Sequence, residues 1–174
     1  MTISRRKEIF SDLDNSEMAV KKVLEGATEA LFLHKPDDTT WSMAELVEHI
    51  IIVEKGVLGT IQKIGAKASE EPIIPKLDDK AIVKLLSNRK RKVEAPAHFV
   101  PKGIFTSKEI ALQKFQAHRA DIQDFITTTT LPLKNIGFPH SVVGMLNAEN
   151  WFTFMAGHCQ RHASQMAEIS NVGL

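Results

Sequence analysis

Apolar residues recur along most of this chain at intervals of three and four, the period of a helix that buries one face. From about Ser4 to Glu25, Ile9, Leu13, Val20, Val23 and Leu24 keep that period, with Asp14-Asn15-Ser16 a mild interruption and Gly26 a stop. After a Pro36-Asp37-Asp38 turn, Ser42 stands three residues before Glu45, the spacing of a capping box. It opens a stripe of Leu46, His49, Ile50, Val53, Val57, Ile61 and Ile64 that should end at Gly65. A looser stretch holding Pro72 and Pro75 leads to Asp78, which can cap a short peripheral helix carrying Ile82, Leu85 and Leu86. Thr106 and Glu109 repeat the capping-box spacing before Leu112, Phe115, Arg119, Ile122 and Ile126, and Thr127 to Thr130 with Pro132 close that helix. Leu133 to Leu146 reads as a connection, after which Asn147 can cap a last helix that fades near Asn171. Strand signals are weak throughout.

Four long amphipathic helices and a minor one predict an all-α fold, a four-helix bundle in one domain over 1–174. The long connections between the helix of His49 and the one after Thr106, and before the last helix, argue against a simple up-down-up-down order. At 43% apolar and 25% charged residues the chain has material for a full core, and no second domain is needed. A net charge of +1 gives no broad reason to expect nucleic acid or a membrane surface as partner. Arg89-Lys90-Arg91-Lys92 is a local basic run, read as a solvated helix end. The single Cys159 excludes an internal disulfide and a Cys-rich zinc module. No stretch is long and apolar enough to span a membrane, and Met1-Thr-Ile-Ser-Arg-Arg lacks the apolar run of a signal peptide, so a cytoplasmic location is expected.

The chemistry lies in polar residues on apolar stripes. His158 and His162 share one helical face with Trp151, Met155, Gln165 and Ile169, so both rings should point inward. An unpaired buried polar group costs on the order of 1–3 kcal/mol, and two imidazoles four apart can both be satisfied by one metal ion. An i,i+4 histidine pair by itself is a weak motif, and a lone inward histidine is more often a hydrogen-bonded core residue. His49, on the inward stripe of another helix, strengthens the metal reading. Three neutral nitrogens would hold a divalent ion with positions left for water or substrate. Ligand softness does not separate zinc, nickel, iron and copper. The residue after His158 is Cys159, not the Glu of the zincin motif, which disfavours a metalloprotease of that type. Cys159 should point about 100° away from His158 and pack.

The segments Trp41-Ser-Met-Ala-Glu-Leu-Val-Glu-His49-Ile, Phe138-Pro-His140-Ser-Val-Val-Gly144 and His158-Cys-Gln-Arg-His162-Ala-Ser-Gln165 together resemble the DinB-like (DinB/YfiT-like) metalloenzyme family over nearly the whole chain. The resemblance implies an up-down-down-up bundle, a divalent metal on His49, His158 and His162, zinc or nickel before iron or copper, and a homodimer. It also implies a small-molecule reaction, foremost transfer of a low-molecular-weight thiol activated at the metal. A metal-dependent hydrolase of amides or esters and a non-catalytic bundle with a structural metal are the alternatives. Arg119, on an inward stripe, could bind a cosubstrate carboxylate, or be an ion-paired core residue. Glu54 could orient a ligand imidazole, or lie solvated on a polar face. His140 reads as a loop residue.

Overall fold

The computed structural model describes residues 1–90 and 94–172, so Arg91 and Lys92 of the basic run lie outside the described residues. Six helices occupy most of this length: α1 Ile3–Gly26, α2 Glu29–Leu33, α3 Met43–Gly65, α4 Asp79–Ser87, α5 Lys108–Thr128 and α6 Ala148–Val172. Three of the predicted caps form as the sequence requires. Ser42 and Glu45 make a reciprocal capping box at the start of α3. Asp78 accepts from Ala81 N at α4, and the Asn147 side chain accepts from Asn150 N at α6. At α5 the Thr106/Glu109 box does not form: Ser107 is the N-cap and has no side-chain cap bond. The first amide of α5 is met from a distance instead, Lys108 N donating to Glu29 Oε2 at 3.0 Å.

The long helices α1, α3, α5 and α6 form the bundle, with α6 packed against α1 and α3, and α5 against the same two. Consecutive long helices α1 and α3 are therefore diagonal, as are α5 and α6. Two apolar cores fix the directions. One gathers Ile9 and Leu13 from the start of α1, Trp151 to Ala156 from the start of α6, and Val57, Ile61, Ile122 and Ile126 from the ends of α3 and α5. The other gathers Val20 and Leu24, Ile169, Met43 to Ile51, and Ala111 with Phe115, the opposite ends of the same four helices. Helices α1 and α6 thus run one way and α3 and α5 the other, which is the up-down-down-up order. The short α4 lies against α6. Arg161 holds it there by donating to Leu86 O at 2.9 Å and Asn88 O at 2.8 Å, carbonyls at its C-terminal end.

One element departs from the expected connection at 133–146. Strands β1 Gly137–His140 and β2 Gly144–Asn147 form an antiparallel hairpin, His140 opposite Gly144. Each has four residues and β1 contains Pro139, too little for a period-two signal to register. Gly144 at φ +85° makes the reversal possible, since an L side chain is strained there. No described helix is long and apolar enough to cross a membrane.

Candidate metal centre

Trp41 and Ser42 carry out separate tasks at the entrance to α3. The Ser42 hydroxyl starts the helix, and the Trp41 ring packs on His49 with centroids 4.7 Å apart. Two turns into the helix stripe, His49 points into the bundle and meets the α6 pair. His49 Nε2 lies 3.3 Å from His158 Nε2, and His162 Nε2 lies 3.1 Å from the same atom. All three rings are buried, between 5% and 9% exposed.

The outer nitrogens determine what these inner ones can be. His49 Nδ1 donates to Phe99 O at 2.8 Å, and a carbonyl can only accept, so the proton of the neutral ring sits on Nδ1 and Nε2 is bare. His162 Nδ1 meets Gln165 Oε1 at 3.1 Å and leaves its Nε2 bare in the same way. His158 can offer one Nε2 proton at most, enough for one of its two neighbours. No partner meets His158 Nδ1 among the described residues, so the protein does not dictate its tautomer. Burial first, then the neighbouring imidazoles, holds His158 well below the ordinary histidine range. Burial and then His49 push His162 down to about 3. Burial lowers His49 too, against the pull of the Phe99 carbonyl. All three are therefore neutral, the state that ligates metal. At least one of the two contacts, at 3.1 and 3.3 Å, thus sets two nitrogens against each other with no proton between them, which repels unless a cation lies there. These separations are close to the edge of about 3.3–3.4 Å for a tetrahedron with Zn–N bonds of about 2.0–2.1 Å. The set fits a divalent ion, and three nitrogens leave further coordination positions free.

The three rings open on a cavity of about 420 Å³. Its walls are Val53 and Val57 of α3, Leu85 and Leu86 of α4, the segment 94–99, Phe138 and His140 of the hairpin, and Trp151 and Phe154 of α6. Phe138 stacks on Trp151 at 4.3 Å and 17°, and Phe154 on His158 at 5.5 Å and 18°. The walls are therefore mainly apolar and aromatic around a polar floor, the usual composition of a small-molecule site.

A match to the DinB superfamily profile spans residues 12–166. The chain belongs to the DinB superfamily. Among relatives of this DinB-superfamily chain, the uncharacterized protein YuaE of Bacillus subtilis (strain 168) is 27% identical over 150 residues, 84% of this chain and 87% of YuaE. Among solved structures, YfiT from Bacillus subtilis, a probable metal-dependent hydrolase with an unusual four-helix bundle topology, superposes with a TM-score of 0.63. The superposition covers 99% of this chain and 89% of YfiT at 17% identity, a likeness of fold.

The remaining candidates lie elsewhere or do other work. Arg119 is inward as expected but does not reach the cavity. It is 1% exposed and donates to Leu13 O, Ser16 Oγ and Glu54 Oε1 at 3.2, 3.2 and 2.8 Å, with Phe115 beneath it at 5.0 Å. Its side chain is ion-paired with Glu54 in the core, and Arg119 is not among the residues that line the cavity. Glu54 is neither solvated nor beside a ligand ring: it is fully buried against Arg119, and burial, outweighing Arg119, raises its carboxyl to about 7. Cys159 packs as expected, its thiol facing Ser16 O, and burial pushes it up to about 12. His140 ends strand β1 and lines the cavity, so it is more than a loop residue.

Glu48 was not singled out by the sequence. Its carboxylate is 2% exposed and accepts the backbone N–H groups of Lys102, Gly103 and Ile104 at 2.8, 2.8 and 3.0 Å. This clamp, with Gly103 turning at φ +73°, anchors the segment that brings Phe99 O to His49. An acidic residue beside the His49 position was the only signal available.

Proposed function

We propose that this DinB-superfamily chain is a metal-dependent enzyme acting on small molecules, with His49, His158 and His162 as the ligands of a zinc or nickel ion. The observation that carries this reading is the convergence of three neutral Nε2 atoms on the floor of an apolar cavity. A divalent ion there supplies Lewis acidity, lowering the pKa of a bound thiol or water. Thiol transfer is the first reading. A thiol starts from a pKa of about 8.5 against about 15.7 for water, so the same ion would ionise it more readily, and the one carboxylate among the described lining residues that could serve water as a base, Glu94, is exposed. In that reaction a sulfur–carbon bond forms, and the displaced electron pair and the thiol proton end together on the electrophile or on its leaving group. The residues of the chain bind and shield: Phe99 and Gln165 orient two of the imidazoles, and the aromatic walls hold an apolar electrophile away from water. Hydrolysis of amides or esters is the second reading, favoured by the likeness in fold to YfiT.

Elemental analysis of protein purified without chelator tests the centre. Close to one divalent ion per chain is expected, falling to background in His158→Ala. Equal metal in both proteins would refute the centre. Consumption of an aryl electrophile only when cysteamine is added supports transfer; release of nitrophenol from a nitrophenyl ester without thiol supports hydrolysis.

A further inference from the structure

One aromatic ring away from His158 stands a fourth imidazole. His140 packs on Phe154 with centroids 4.7 Å apart, and Phe154 stacks on His158. The back of the His140 ring is fixed: the backbone N–H groups of Val142 and Val143 donate to Nδ1 at 3.1 and 3.2 Å. Nδ1 is therefore the bare nitrogen, and the neutral ring carries its proton on Nε2. Burial lowers the pKa of the ring, which keeps it neutral. The turn behind it is defined by the His140–Gly144 pairing, and Trp151, at 5.7 Å, meets the ring beside Phe154. Among the described residues no acceptor meets Nε2, and the ring lines the cavity.

We infer that His140 presents its Nε2–H as a fixed hydrogen-bond donor to the carbonyl oxygen of an apolar substrate held beside the three histidines. This rests on the metal-centre reading and narrows the substrate to carbonyl compounds with an apolar or aryl body. The two reactions above make the same demand. When a thiol adds to an unsaturated carbonyl compound, sulfur bonds the β-carbon, the π pair collects on the carbonyl oxygen, and the thiol proton ends on the α-carbon. In ester or amide hydrolysis, the water oxygen bonds the acyl carbon and the π pair collects on the same oxygen. It returns as the leaving group departs with its electron pair and a proton from the water. In each case negative charge grows on the atom that His140 touches, where a preorganised neutral donor is most effective.

The test uses the full chain loaded with zinc and benzohydroxamate, an aryl carbonyl compound whose oxygens bind zinc. Long-range proton–nitrogen NMR correlations should show His140 with a bare Nδ1 and a protonated Nε2. Calorimetry should show benzohydroxamate binding roughly 10- to 100-fold weaker in His140→Asn and His140→Phe, with zinc content unchanged. The Asn variant keeps the turn, because its side-chain oxygen can accept the amide two residues on, while its NH₂ stops short of the position of the His140 Nε2 donor. Full affinity in zinc-bearing His140→Asn, or a proton on Nδ1, overturns the inference and leaves the metal centre standing. A parent chain that takes up no zinc overturns both.

Discussion

Glu48→Gln is expected to loosen the metal centre without altering a ligand. The carboxylate holds three amides, Oε1 that of Lys102 and Oε2 those of Gly103 and Ile104. A carboxamide has one oxygen, so at best it keeps the latter two and turns an NH₂ toward Lys102 N. Hydrogen bonds to a charged group contribute about 1.5–3 kcal/mol and neutral ones about 0.5–1.5. One charged bond is lost and two weakened, on the order of 3 kcal/mol in all after allowing for relaxation. This loss acts first on the segment that carries Phe99, whose carbonyl keeps the His49 proton on Nδ1 and its Nε2 bare. Opening of residues 94–104 should become about 100-fold more frequent, measured as faster amide hydrogen exchange at 102–104. Zinc affinity, measured by competition with a chromophoric chelator, should fall by roughly 10- to 100-fold, the usual effect of losing a partner behind a ligand. Unchanged zinc affinity despite faster exchange would show that Phe99 does not set the His49 tautomer. Unchanged exchange would refute the clamp itself.

Arg119→Met should lower the melting temperature by roughly 6–20 °C in calorimetry, because breaking a buried ion pair costs about 3–5 kcal/mol and strands Glu54. Glu54→Met/Arg119→Met should be less destabilised than the sum of the single variants, and strict additivity would refute the coupling. His118, 4% exposed, has its pKa lowered to about 4 from 6.5 chiefly by burial, then by Lys55. The native state holds it neutral while the unfolded chain takes up a proton near 6.5, so its contribution is complete above that pH and is lost as the pH falls toward 4. Glu54, raised to about 7, has the opposite slope, its contribution being lost as pH rises from 4.5. The parent-minus-variant stability difference for His118→Gln therefore cancels the slopes of groups that His118 does not touch and keeps its own, together with any change at Glu54, 3.5 Å away. In urea unfolding it should shift by about 2 kcal/mol against the parent from neutral pH to about pH 5, and a pH-independent difference would contradict the assignment.

Helix ends and inward faces were legible because they depend on residues three or four apart. Ser42 and Glu45 cap what they were expected to cap, and Ile9, Val57, Phe115 and Ile122 are buried on the stripes that predicted them. What periodicity lacks is any statement of partner or direction. Glu48 and residues 102–104, or Glu54 and Arg119, meet across more than fifty positions, and no local pattern distinguishes these carboxylates from solvated ones. The bundle order likewise came from resemblance, since each amphipathic helix is equally satisfied pointing either way until the two cores sort its ends. Polar residues on buried stripes were nevertheless informative. Burial of His49, His158, His162 and Arg119 obliges each to find a partner, because leaving it unpaired costs more than most single contacts provide. For Arg119 that partner is a carboxylate supplied by the fold. For the three imidazoles the described residues supply acceptors to two outer nitrogens, and the fold turns the inner ones toward each other, an arrangement that calls for a cation from outside the chain.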